Sequence, residues 1–253
     1  MVATLLAVLL VQSPQDPVVA PSPSALLTKT IARYADAKTV RGTITMSQSA
    51  KDKTVRIETV LQTEKPAKVY LKQAQKGGDS DTCLLTSDGR SFSFDPIQSN
   101  VLRMKRGEEP LVGPDGTPVI NVTTGLPLGL PDIYIAMNDR LVDKNIWLDM
   151  VFGEKLHMKS MLQKWASLLY RGRHKVRNVD VHAISGAWRE LPTSAPGGDF
   201  EIYINDQMEV LRYVVTQRVA VPNVQDPIEV QTIWDADLAV DGPVDPALFR
   251  VVR

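Results

Sequence analysis

Few residues of this sequence have the types and spacing that metal binding requires. The chain contains three histidines, His157, His174 and His182, and Asp180 stands between the last two. A protein metal site takes three or four ligands, and outer hydrogen bonds orient them. Two histidines and one carboxylate are too few for such a site, so we expect neither a metal nor another cofactor.

Patterns that would make a nucleophile are also lacking in the sequence. Cys83 is the single cysteine, so no internal disulfide can form, and a small buried apolar side chain is its ordinary role. No Gly-x-Ser-x-Gly elbow is present. Ser87-Asp88 precedes Gly89, a pattern typical of a hairpin turn instead of a serine with its base. We therefore expect no catalytic residue and no catalysis.

The charge balance argues against binding to nucleic acid. Lys and Arg total 29, Asp and Glu total 29, and the formal net charge is zero, whereas nucleic-acid binding proteins and polybasic membrane anchors carry excess positive charge. One local basic cluster lies at residues 169–177. It is either a solvated turn and strand start, or a contact for lipid headgroups or an acidic partner.

The first residues differ in composition from the rest of the chain. Residues 3–11 read ATLLAVLLV, an apolar run of signal-peptide length that is too short to span a membrane. The polar, proline-rich stretch QSPQDPVVAPSPS follows it. This pattern predicts a signal peptide and leader over residues 1–23, export to the periplasm or elsewhere outside the cytoplasm, and one domain over residues 24–253. The alternative is a frayed apolar tail on a cytosolic protein.

Hydrophobic periodicity beyond the leader predicts one helix followed by strands. Leu27, Ile31 and Tyr34 recur at helical spacing. Over residues 40–105 apolar and polar residues alternate, which predicts a meander of about five antiparallel strands. The last third of the chain, after residue 175, alternates in the same way. Strands and helices do not alternate along the chain, so a Rossmann-type fold is not expected.

A strong hairpin signal lies in the middle of the first meander. Asp88-Gly89 favours a two-residue turn because that turn requires positive φ. Phe92 and Phe94 then alternate with serines, so both phenylalanines face one side of the outgoing strand. Pro96 ends the strand, since proline has no N–H to donate to the sheet.

One long segment has the apolar spacing of a helix. Residues 155–170 read KLHMKSMLQKWASLLY, and Met161, Trp165 and Leu169 fall on one stripe. Such a stripe either packs in the core or lines an apolar cavity, where methionines adapt to a flexible guest.

Four stretches stand in an order that resembles a known family. A short helix leads into VRGTITM, the pair Lys65-Pro66 precedes an outgoing strand, LLTSDGRSFSFDPIQSNVL follows, and FEIYINDQMEVLRYV leads to VDPALF. This order is similar to that of LolA, the periplasmic carrier of lipoproteins, and of its relatives LolB and the sensor domain of RseB. The resemblance spans residues 24–252.

The resemblance implies an α+β fold and a binding role. The family fold is a curved, incompletely closed antiparallel sheet, a half-barrel of about eleven strands, with helices covering its open side. In the carriers, an apolar cavity between sheet and helices accepts the acyl chains of a lipoprotein. A monomer that binds lipid or lipoprotein acyl chains, and carries lipoprotein across the periplasm, is therefore expected. The alternative is an envelope-stress sensor or scaffold that binds a protein partner through the same sheet.

The candidate site residues follow from strand alternation, helix face and the resemblance. The expected cavity residues are Ile44, Met46, Ile57, Phe92, Phe94, Met161 and Trp165. Lys65 is the candidate for the lid, because the carriers have an arginine before the corresponding proline that helps to hold the lid closed. Lysine lacks the bidentate fork of arginine, so control of the lid is expected to differ in this chain.

Overall fold

A large antiparallel sheet and the helices on it form the protein. The computed structural model describes residues 20–76, 82–89, 91–95, 104–105, 111–112, 118–119, 129–137, 141–153, 165–188, 198–220 and 226–251. Its helices are α1 (Pro23–Asp36), α2 (Leu130–Met137) and α3 (Ile146–Phe152), and a 3-10 helix covers Pro246–Phe249. None of the helices in these ranges is long and apolar enough to cross a membrane.

The strands fall into two meanders. The first comprises β1 (Thr39–Ala50), β2 (Lys53–Glu64), β3 (Lys68–Gln75), β4 (Thr82–Asp88), β5 (Ser91–Asp95) and β6 (Met104–Lys105). The small strands β7 (Leu111–Val112) and β8 (Pro118–Val119) pair only with each other in the described part of the chain. The second meander comprises β9 (Trp165–Val176), β10 (Val179–Trp188), β11 (Gly198–Asn205), β12 (Val210–Val219) and β13 (Ile228–Val240).

The two meanders join through β1 and β13 into one open sheet. Its strand order is β6-β5-β4-β3-β2-β1-β13-β12-β11-β10-β9. Nine of these strands have seven residues or more, while β5 has five and β6 has two. The edges β6 and β9 do not pair with each other in the described ranges. The expected open antiparallel sheet with helices packed against it is therefore confirmed.

Helix α1 begins at a proline and packs its apolar stripe on the sheet. Pro23 suits the first turn, where a missing N–H costs nothing. The predicted stripe of Leu27, Ile31 and Tyr34 is buried. The Tyr34 hydroxyl accepts a hydrogen bond of 3.1 Å from the backbone N–H of Val210, which fixes the helix to the start of β12.

The helix predicted over residues 155–170 is wrong from Trp165 onward, and residues 155–164 lie outside the described residues. Residues from Trp165 onward belong to β9, which pairs with β10 over most of its length. The turn between the two strands places Arg177 and Asn178 at φ 49° and 66°, the backbone of a two-residue hairpin turn. Pairing across this hairpin outweighs the local helical spacing, and Leu169, expected on a buried stripe, is 50% exposed.

Candidate functional site

The face of the sheet beneath the helices carries a continuous row of apolar side chains. Ile57 pairs with Met46, Met46 with Trp234, Trp234 with Tyr213, and Tyr213 with Ile202. Directly paired residues of antiparallel strands lie on the same face. We call these five residues the inner wall. All are buried except Trp234, which is half-buried against the core.

An aromatic cluster continues the inner wall toward the edge strand β9. Its members are Trp165, Trp188, Phe200 and Tyr213. The Phe200 ring centroid lies 5.4 Å from that of Trp165, 6.1 Å from Trp188 and 6.0 Å from Tyr213. Tyr213 also stacks on Trp234 at 5.6 Å. Aromatic side chains therefore line the wall from β9 to β13.

Three of the predicted cavity residues lie together on this face. Ile44, Met46 and Ile57 are buried, at 0%, 7% and 5% exposure. They occupy inward positions of β1 and β2, as their alternation predicts. Trp165 joins the same face, but from the first position of β9 and not from a helix.

The other predicted cavity residues are less defined. Strand register pairs Phe92 with Ser87 and Phe94 with Leu85, and both partners are buried. The side chains of Phe92 and Phe94 lie outside the described residues, as does the whole of Met161.

Lys65, the lid candidate, connects the turn after β2 to the end of α1. Its Nζ donates a hydrogen bond to the carbonyl oxygen of Ala35 in the last turn of the helix. Its backbone N–H donates to the carbonyl oxygen of Lys38 at 2.9 Å. A cation at the C-terminal end of a helix also interacts favourably with the helix dipole.

A buried glutamine, absent from the sequence predictions, attaches residues 141–153 to the inner face. We call this segment, which ends in α3, the cover. Gln73 is 0% exposed. Its Oε1 accepts hydrogen bonds from the backbone N–H groups of Val142 at 2.9 Å and Asp143 at 3.1 Å. Its Nε2 donates to the Asp143 carbonyl oxygen at 2.7 Å and to Thr59 Oγ1 at 3.1 Å.

The Asp143 side chain extends this attachment to β13. Its carboxylate accepts hydrogen bonds from Trp234 Nε1 at 3.0 and 3.2 Å, and from Asn145 Nδ2 at 2.8 Å. Burial raises the pKa of Asp143, while these two donors act in the opposite direction. The start of the cover thus bridges β3 and β13, which flank β2 and β1 in the strand order.

Helix α3 lies almost wholly inside the protein. Asn145 accepts a hydrogen bond from the backbone N–H of Leu148, which caps the helix start. Six of the seven helical residues are buried: Ile146, Trp147, Leu148, Met150, Val151 and Phe152. Trp147 Nε1 donates to the Val210 carbonyl oxygen at 3.1 Å, so α1 and α3 meet β12 at the same residue.

The sequence contains one signal for the cover. Gln73 follows Val69 and Leu71 at an inward position of β3, where an apolar residue is the ordinary choice. A polar residue in that position must find partners once it is buried. Which partners it finds depends on a segment 70 residues away, and local pattern does not give that.

Two of the three histidines, His174 and His182, lie on the hairpin of β9 and β10. His174 pairs with Val181, and His182 lies opposite Arg173. His182 contacts Tyr170 at 3.0 Å and Asp206 at 3.2 Å. In the described ranges no group of three or more metal-ligating side chains occurs.

A surface groove of about 690 Å³ lies at the far end of β1 and the start of β13. Its lining residues are Ser49, Lys51, Asp226, Pro227, Ile228, Glu229 and Gln231. Most of these side chains are polar or charged, so the groove does not suit an aliphatic guest.

Comparisons with known proteins find similarity in structure only. No protein-family model matches the chain, and no curated protein does. Lipoprotein LppX of Mycobacterium tuberculosis is 11% identical, over 88% of this chain and 99% of that chain, with a TM-score of 0.39. LprF of Mycobacterium bovis is 10% identical, over 89% and 96%, with a TM-score of 0.42. A LolA-superfamily protein of Nitrosomonas europaea is 9% identical, over 92% and 99%, with a TM-score of 0.32.

Proposed function

We propose that this protein binds the acyl chains of a lipid or lipoprotein on the inner wall of its sheet and carries lipoprotein across the periplasm. The observation that supports the proposal is the inner wall, a row of aliphatic and aromatic side chains that crosses five strands beneath helices. An aliphatic chain needs only dry surface, and its burial is favourable by about 25 cal/mol per Å².

The cover is the part of the molecule that makes way for the ligand. Helix α3 now places apolar side chains against the core, so an acyl chain and α3 compete for the same surface. A few hydrogen bonds that involve Gln73 and Asp143, mostly as acceptors, attach the start of the cover to the sheet. Exchange of one apolar partner for another leaves the wall dry in both states, which keeps the difference in free energy between them small.

Lys65 acts on α1, the other element that packs over the sheet. Its bond to Ala35 attaches the end of α1 to the turn after β2. One Nζ offers a point contact where an arginine offers a fork. We expect the hydrogen bond between Lys65 and Ala35 to break when α1 shifts to admit a ligand.

Residues 1–23 act as signal peptide and leader and residues 24–253 as the binding domain, and the exported protein works as a monomer without catalysis. The apolar run at residues 3–11 and the resemblance of the ordered motifs support this part.

A fluorescent fatty-acid probe tests the binding proposal. We expect the purified protein to enhance and saturate the probe signal. The variant Met46→Ala, which shortens a side chain of the inner wall, is expected to weaken binding by about fivefold, because the acyl chain loses apolar contact worth about 1 kcal/mol.

The matched control is Leu169→Ala on the edge strand. Leu169 is 50% exposed, so this variant should bind as the wild type does. Circular dichroism must show both variants folded. A wild-type protein that fails to bind the probe would reject the proposal.

One observation favours a second candidate, an envelope sensor or scaffold. Strand β9 forms one edge of the sheet, and Leu169 on it is exposed. Open strand edges accept extended segments of partner proteins. A pull-down from an envelope extract separates the two functions, because a stoichiometric protein partner without bound lipid supports the second and rejects the first.

A further inference from the structure

Two hydrogen-bond donors in the aromatic cluster are buried without partners. Trp165 is 4% exposed and Tyr213 is 2% exposed. Neither Trp165 Nε1 nor Tyr213 Oη has a hydrogen-bond partner in the part of the chain that the structure describes. Nearly all buried polar groups in folded proteins are paired, so two unpaired groups in one cluster call for a physical reason.

The two groups belong to one location. The Phe200 ring contacts both rings, with centroid distances of 5.4 Å to Trp165 and 6.0 Å to Tyr213. Burial raises the pKa of Tyr213 well above its usual value, and the side chains of Trp188 and Trp165, which approach its hydroxyl without the geometry of a hydrogen bond, act in the opposite direction. That opposing effect arises because indole N–H groups near a phenol oxygen stabilise its anionic form. The two donors thus belong to side chains that contact the same Phe200 ring.

The chemistry of the donors defines what they can bind. An indole N–H can only donate, and a phenol O–H can donate as well. A single acceptor oxygen that projects from the chain with two accessible lone pairs, such as a carbonyl oxygen, can satisfy both, whereas an ether oxygen lies within the chain between two alkyl groups that hinder a second donor. All four side chains of the cluster are uncharged, so a buried carboxylate would find no counter-ion here and would cost far more than a neutral carbonyl.

The position of the cluster suits the polar end of an acyl ligand. Trp165 is the first residue of β9, and Trp188, the last of β10, is half-buried. From Tyr213 the inner wall runs across β13 and β1 to Ile57 on β2. These three strand spacings measure roughly 14 Å, which provides an apolar path for the aliphatic part.

We propose that Trp165 Nε1 and Tyr213 Oη bind the carbonyl oxygen of an ester- or amide-linked acyl chain, with the aliphatic part along the inner wall. The inference rests on the proposed function and adds the chemical class of the ligand. The site selects acylated molecules, in which the carboxyl group is esterified or amidated, over free fatty acids and over hydrocarbon without a carbonyl.

The test compares ligands that differ only at the polar end. Methyl laurate, lauryl methyl ether and laurate are titrated against the protein by competition with a fluorescent probe. We expect the ester to bind about tenfold more tightly than the ether, as two modest hydrogen bonds predict. We expect laurate, with its charge, to bind no better than the ether. The N-methyl amide of lauric acid should match the ester or exceed it, because amide oxygens are good acceptors.

A matched pair of variants assigns the preference to Tyr213. Tyr213→Phe should lower the preference for ester over ether from about tenfold to about threefold, since one of two donors is lost. Its melting temperature without ligand should equal or exceed that of the wild type, because the hydroxyl removed had no partner. Tyr203→Phe is the control, because the Tyr203 hydroxyl donates to Glu201 outside the cluster, and it should keep the full preference.

A spectroscopic measurement reports on Trp165 directly. Its indole N–H resonance, assigned by its loss in Trp165→Phe, should move downfield when the ester binds and stay in place when the ether binds.

The outcomes separate this inference from the proposed function. Equal binding of ester and ether to the wild type overturns the carbonyl site and leaves acyl-chain binding intact. So does a full ester preference in Tyr213→Phe. If no aliphatic ligand binds to the wild type, acyl-chain binding and the carbonyl site both fail.

Discussion

At the scale of single residues, the buried carboxylate of Asp143 is the most informative group in the protein. It is 4% exposed, and it accepts hydrogen bonds from Trp234 and Asn145. A buried charge is costly unless it is paired or hydrogen-bonded. In this protein the N–H groups of Trp234 and Asn145 supply the hydrogen bonds. The attachment of the cover to β13 therefore depends on the protonation state of one side chain.

This dependence predicts how stability varies with pH. Because the folded-state pKa of Asp143 lies above its unfolded value, the folded protein holds this proton more tightly than the unfolded chain does. The resulting stabilisation is present at low pH, and it is lost as pH rises from about 4 through the raised pKa. The variant Asp143→Asn has no charge to bury, so it should gain in melting temperature relative to the wild type across that rise. Parallel pH profiles of the two melting temperatures would contradict the account.

At the scale of elements, the contact between β1 and β13 decides whether the two meanders form one sheet. Gly42 on β1 has φ +143°, a backbone conformation that other residues rarely adopt. A Cβ at this position would lie 2.0 Å from the carbonyl oxygen of Asp237 on β13. The strands approach this closely only because residue 42 lacks a side chain.

The substitution Gly42→Ala is therefore expected to lower the free energy of unfolding by about 3 kcal/mol or more, from backbone strain and overlap together. Urea unfolding measures this loss. Gly172→Ala on β9 is the matched control, because Gly172 also has positive φ, +99°, but no atom lies within 4 Å of the added Cβ. It should cost only the strain, about 1–2 kcal/mol. Equal losses in the two variants would show that the close approach at Gly42 does not matter.

At the scale of the whole molecule, the two ends of the described chain meet. Helix α1 reaches the turn after β13, where Asp241 accepts hydrogen bonds from the Lys38 backbone N–H at 2.7 Å and from Arg33 at 2.6 Å. These contacts hold α1 to the central strand pair β1 and β13. Helix α1 and the sheet are thus connected through residues far apart in sequence.

The Lys38 N–H and the Arg33 guanidinium hold the pKa of Asp241 below its usual range. A lowered folded pKa stabilises the protein above the unfolded value of about 3.9, and this contribution disappears as pH falls through the lowered pKa. Asp241→Asn should cost no more than about 1 kcal/mol near neutral pH, because the site is exposed, and nothing in strong acid. Thermal unfolding at the two pH values measures the difference, and a loss that persists in acid would point to a cause other than charge.

The sequence predicted the helix α1, the two meanders and the inward positions of Ile44, Met46 and Ile57, because these depend on local periodicity. It failed at Trp165, where helical spacing and strand alternation are both compatible with the same letters until the β9–β10 hairpin selects one of them. It missed the cover, although Gln73 marked the place. Its lid candidate Lys65 stays a prediction, and so does the cavity role of Ile44, Met46, Ile57, Phe92, Phe94, Met161 and Trp165.

By itself, the amino-acid sequence determined which side of each long strand is apolar and where Asp88-Gly89 turns the chain, since side-chain alternation and backbone sterics act over a few residues. Only the tertiary structure decided that Trp165 joins Tyr213 in one aromatic cluster and that Asp143 meets Trp234. Those contacts join residues 48 and 91 positions apart, and the free energy that selects them comes from burial and pairing across the completed sheet, which no local pattern contains.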